Sequence, residues 1–133
     1  MSPFERKQGT TRMSEESKTR ITDWLHATPT VRGALVRGIR FADETFVCDV
    51  DSRDFPATAL EQAWRLVADT FQVLSAQRLP PTRLTWVHEK TVLHCVRRAD
   101  GAILGVFLSR KTNEGDPVAL DRLLLEFQGL PVA

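Results

Sequence analysis

Two apolar runs flank an Asp-Gly pair late in the chain, Thr91 to Arg98 before it and Ala102 to Arg110 after it. Asp100-Gly101 between such runs is a strong local signal for a tight β-hairpin. A two-residue turn would pair Ala99 with Ala102, and counting outward sets Cys95 opposite Val106 and Leu93 opposite Leu108 on one apolar face. The other parity collects Val92, His94, Val96, Ile103, Gly105 and Phe107, again mostly apolar. A strand pair with one wet face alternates apolar with polar residues. This pair does not, so its sheet is expected to be buried on both sides, with helices as the covers.

The rest of the chain supplies those covers. Ser14 can cap a helix, Glu15 and Glu16 suit the positive end of its dipole, and Ile21, Trp24 and Leu25 recur at helical spacing as far as Pro29, which predicts a helix from Ser14 to about Ala27. Val31 to Phe41 and Thr45 to Val50 read as strands joined through Ala42-Asp43-Glu44, with Gly33 and Gly38 marking a bulge or a close backbone approach. A long helix is predicted from near Pro56 to about Arg78, opened by a Thr58/Glu61 capping box. Leu60, Trp64, Val67, Phe71 and Leu74 form its core stripe. Arg83 to His88 makes a third strand ahead of the two described first. Asp116-Pro117 then starts a last helix carrying Leu120, Leu123, Leu124 and Phe127, which Gly129 and Pro131 end. The predicted order is αββαβββα, an α/β chain of the α+β type. At 133 residues, of which 42% are hydrophobic and 26% charged, it suits one domain with one core over 14–130, preceded by a flexible tail over 1–13 in which Met13 is a second candidate start.

Several function classes find no support. The formal net charge of +1 creates no overall field for nucleic acid or an anionic membrane. The chain has no apolar run of spanning length and no apolar stretch at its N-terminus, which sets the expectation of a cytoplasmic protein with neither membrane nor nucleic-acid partners. Phosphate-binding glycine motifs are absent, so no cofactor is expected. His88, His94 and Cys95 are the nearest thing to a metal cluster, but His94 and Cys95 are strand neighbours pointing to opposite faces, and no metal site is expected. Cys48 and Cys95 read as buried thiols, and Asp49, Asp51 and Asp54 as capping or solvated carboxylates. No catalytic residues are assigned. Arg32, Arg37, Arg40, Arg97, Arg98, Arg110 and Lys111 would form a basic rim if their strand ends lie together, read here as solvated strand ends and edge protection.

PTVRGALVRG leading into the first hairpin, the helix ALEQAWRLVADTFQVL, and TWVHEKTVLHCVRRADGAILGVFLS across the last three strands, taken in this order, resemble the roadblock family of dynein light chains and their bacterial relatives, whose fold is profilin-like. The resemblance runs from Ser14 to Leu130. It implies a central five-stranded antiparallel sheet with the long helix on one face and the terminal helices on the other. It also implies dimers built through that helix and an edge strand, and a non-catalytic role as adaptor or scaffold for small Ras-like GTPases. Where relatives often place Asp-Gly in the first hairpin, this chain has Asp43-Glu44.

A second apolar line on the long helix, Ala63, Leu66 and Val73, has no need of its own sheet and is the candidate dimer surface. The edge strand that the resemblance implies adds Arg83, Thr85 and Trp86. The rival readings are a small-molecule sensor with a pocket between sheet and helix, and an enzyme using Cys48 or Cys95 with His94.

Overall fold

The computed structural model describes residues 14–50, 57–79, 82–110 and 116–131, with only the backbone for residues 57 and 58. The tail over 1–13, Asp51, Asp54, Pro56, the Thr58 side chain of the expected capping box and Lys111 lie outside the described residues. The described order is α1 (Glu15–Ala27), β1 (Ala34–Arg40), β2 (Phe46–Val50), α2 (Ala57–Ala76), β3 (Leu84–Val87), β4 (Thr91–Arg97), β5 (Ile103–Ser109) and α3 (Pro117–Gly129). All strand pairs are antiparallel, in the order β2-β1-β5-β4-β3. Ser14 caps α1 by accepting from the Ser17 N–H at 3.1 Å, and Asp116 caps α3 by accepting from the Ala119 N–H at 3.0 Å.

Both faces of the sheet are buried. Ile21 and Leu25 of α1 join Leu120, Leu123, Leu124 and Phe127 of α3 over Ile39, Val96, Leu104 and Val106. On the other face, Leu60, Trp64, Val67 and Phe71 of α2 cover Val36, Leu93, Cys95, Ile103 and Phe107. Leu74, the last member of the expected stripe, is only half-buried.

The register of the last hairpin differs from the expected one by a residue. Arg98 N–H donates to Ala102 C=O, and Gly101 N–H donates back to Arg98 C=O, so the loop holds Ala99, Asp100 and Gly101 rather than two residues. Asp100 Oδ1 accepts from the Ala102 N–H at 3.1 Å, which stabilises the longer loop, and Gly101 takes the left-handed conformation it needs, φ 92°. Cys95 therefore faces Gly105, not Val106, and Leu93 faces Phe107, not Leu108. The slip moves each β5 residue to the opposite face. The first hairpin repeats the device: Phe41 N–H donates to Thr45 C=O, Asp43 Oδ1 accepts from the Thr45 N–H at 3.1 Å, and Glu44 at φ 74° holds the left-handed place that Gly101 fills in its counterpart.

Gly38 and Gly105 are register partners on β1 and β5. A methyl on Gly105 would sit 2.6 Å from Trp64 Cζ2, and one on Gly38 would sit 2.8 Å from Phe46 Cζ. The glycine pair thus leaves a hollow that the two rings fill, in edge contact at 5.1 Å between centroids. Trp64 anchors α2 over the middle of the sheet.

Two arginines assigned to a basic rim are buried. Arg37 is 1% exposed and Arg98 3%. Arg37 forks onto Asp49, with Nε 3.0 Å from Oδ1, and its Nη groups donate to the carbonyls of Leu25, Thr28 and Pro29 at the end of α1. Arg98 binds Asp100 through Nε at 3.1 Å and donates to the carbonyls of Phe127 and Leu130 at the end of α3. Each guanidinium adds charged donors to the carbonyls at a helix end, where the Leu25 and Phe127 carbonyls also accept the cap N–H groups of Thr28 and Leu130. Asp49, with 10% of its side chain exposed, is correspondingly the counter-ion of a buried arginine, not a solvated carboxylate. Arg32, Arg97 and Arg110 are exposed and Arg40 is half-buried beside Glu44, so no continuous basic rim forms among the described residues.

Candidate functional site

With α2 anchored over the middle of the sheet, the α2 face of the edge strand β3 is incompletely covered, Leu84 and Trp86 being only half-buried. A groove of about 430 Å³ opens there, walled by Leu60, Ala63, Leu66 and Val67 of α2, floored by Trp86, Leu93 and Phe107, and rimmed by His88, Glu89 and Lys90. Leu66 and Val73 on α2 are each 60% exposed. Large apolar side chains in this state, set beside a strand with an unpaired edge, are the surface features of an interaction face.

The six candidate interface residues divide between two places. Ala63, Leu66 and Trp86 line the groove, and Val73 continues the line of Leu66 along α2. Ala63 and Trp86 also pack against the core. Thr85 lies on the other face of β3, opposite His94. Arg83 is there too, with Nη1 2.6 Å from Asp121 Oδ1 of α3 and Nη2 2.9 Å from His94 Nδ1. The sequence reading missed Leu93 and Phe107 as part of the groove, because strand alternation marks them only as core.

The cysteines are poorly placed for nucleophilic chemistry. Cys95 is fully buried, and that burial pushes its thiol far above its ordinary range, away from thiolate formation. Its neighbour His94 points to the opposite face of the sheet. Cys48 is half-buried, which departs from the expectation of a core thiol, and its Sγ donates to the Val50 carbonyl at 3.0 Å. Among the described residues no group of three or more His, Cys, Asp or Glu is placed to hold a metal ion, and no helix is long and apolar enough to cross a membrane.

A five-stranded antiparallel sheet in this order, with the long helix on one face and two terminal helices on the other, is the roadblock fold, profilin-like in its architecture. The solved structure of MglB from Myxococcus xanthus shares it: that chain is 12% identical to this one, the match covers 88% of this chain and 90% of that one, and the TM-score is 0.62. MglC from the same organism is 16% identical, with 84% of this chain and 97% of that one covered and a TM-score of 0.41. No protein-family model and no curated protein matches the sequence.

Proposed function

We propose that the protein is a non-catalytic dimeric adaptor or regulator that pairs with a second copy of itself through α2 and β3 and serves a small Ras-like GTPase. The observation that carries the dimer is the exposure of Leu66 and Val73 beside the groove and the open edge of β3. A two-fold axis near this surface would bury the apolar line of α2 on itself and let β3 pair with its symmetry mate, removing an aggregation-prone edge. The roadblock family supplies the GTPase, and the fold shared with MglB supports that choice at the level of architecture.

Light scattering on purified protein should report about 30 kDa, twice the 15.0 kDa of one chain. Leu66→Glu should give a folded monomer, because desolvating a carboxylate in the apolar interface is costly, whereas in the monomer it stays in water. A wild-type chain that stays monomeric at high micromolar concentration would sink the homodimer. Calorimetric titration with a Ras-like GTPase from the same genome, loaded with a GTP analogue or with GDP, tests the second half: binding that is absent in both nucleotide states removes it. A small-molecule sensor would instead gain thermal stability from members of a metabolite library, by about 2.7 kcal/mol for a ligand at 100 times its Kd.

A further inference from the structure

Arg83, His94 and Asp121 make a polar cluster that the apolar groove does not use, although Arg83 adjoins the edge strand of the proposed dimer. They come from the residue before β3, from β4 and from α3, and meet on the face of the sheet away from α2. A guanidinium only donates, so His94 Nδ1, 2.9 Å from Arg83 Nη2, must present its lone pair, and the imidazole is neutral with its proton on Nε2. The Thr85 hydroxyl lies 3.4 Å from the same nitrogen. The groups facing His94 are thus Arg83 and Thr85 from the β3 segment and Asp121 from α3, while β5 presents the uncharged Val106.

We propose that Asp121, Arg83 and His94 form a proton-controlled latch that ties the edge strand β3 to α3. In the closed state one guanidinium bridges the carboxylate and the lone pair of the imidazole. A proton on Nδ1 turns that acceptor into a donor and sets a cation against Arg83, so the fork loses one arm. Burial of His94, and next the charge of Arg83, hold its titration below the usual 6.5, with Asp121 opposing them in part. The sign follows: an opened β3 leaves His94 more basic than the latched one, so opening takes up a proton. The closed latch is fully favoured above the ordinary value and weakens as pH falls through it. The latch is independent of the groove and does not require the dimer.

Amide hydrogen exchange of Leu84 to Val87 in the full chain, corrected for intrinsic chemistry, tests the latch between about pH 7.5 and about pH 5. Opening should become more frequent on acidification, with a limiting slope of about tenfold per pH unit for one proton. His94→Gln, whose amide oxygen can still accept from Arg83 but cannot titrate, should show no such slope. A wild-type chain without the slope, or a variant that keeps it, overturns the proposal. If the variant does not fold, the ¹⁵N shifts of the assigned wild-type His94 decide: a neutral Nε2–H ring that titrates below 6.5 supports the latch, and an Nδ1–H ring or a midpoint at or above 6.5 refutes it.

Discussion

Gly105→Ala is the sharpest test of how α2 is held. The added methyl would lie 2.6 Å from Trp64 Cζ2 and 2.9 Å from Cε2, distances at which something must move. Trp64 has little room to move: it is fully buried between Phe46, at 5.1 Å, and Phe107, at 5.7 Å between ring centroids. Overpacking of this kind costs about 1 to 3 kcal/mol, and the stiffer unfolded chain returns about 0.4 to 1. The central values leave a net loss of about 1.3 kcal/mol, a fall in Tm of roughly 5 °C for a domain of this size. Trp64→Phe in the same chain should ease the clash, because the smaller ring lacks Cζ2, the atom nearest the new methyl. No hydrogen bond is sacrificed by that change, since Trp64 Nε1 is buried without a partner among the described residues. Chemical denaturation of the wild type, both single variants and the double variant gives the coupling, expected to exceed about 0.5 kcal/mol in the relieving direction. Gly38→Ala is the comparison: its methyl meets the half-buried Phe46 ring, which can yield, and the Val47 carbonyl oxygen at 3.0 Å, which must give by a few tenths of an ångström, so it should destabilise without coupling to Trp64→Phe as strongly. A Gly105→Ala chain as stable as wild type, or strictly additive effects with Trp64→Phe, would refute the account of the glycine hollow.

Other outcomes follow from the buried charges and the turns. Arg37→Met leaves the largely enclosed Asp49 carboxylate without its partner and takes donors from the carbonyls at the end of α1, so urea denaturation should show a loss of about 3 kcal/mol, the low end for breaking a buried pair. Adding Asp49→Asn to that variant should recover part of the loss. Glu44→Gly relaxes a left-handed residue at φ 74° and should raise stability by about 1 kcal/mol in thermal melts, since its contact with Arg40 at 3.6 Å is exposed on the Glu44 side.

Much of the architecture was legible in the residues, and the reason is local. Periodicity placed α1, α2 and α3, because an amphipathic helix declares its buried face every three or four residues. Apolar residues on both parities of β4 and β5 declared a doubly covered sheet. The line of Ala63, Leu66 and Val73 was visible for the same reason, and Leu66 and Val73 do stand exposed in the fold.

What the tertiary structure alone decided are the relations between distant residues. The hairpin register turned on whether Asp100 closes a loop of two residues or three, a choice set by one side-chain hydrogen bond that Asp-Gly does not reveal. Arg37 and Arg98 looked like exposed strand-end charges because sequence marks charge but not the carbonyl-lined end of a helix that packs alongside. The Gly38–Gly105 hollow needs β1 and β5 to be neighbours, and the Asp121–Arg83–His94 cluster joins residues 38 and 11 positions apart. A sequence determines which surfaces must be buried, because burial follows from the chemistry of each side chain in its own element. Which buried groups then meet is fixed only when the elements dock, because hydrogen bonds and steric fit depend on partners that local pattern cannot name.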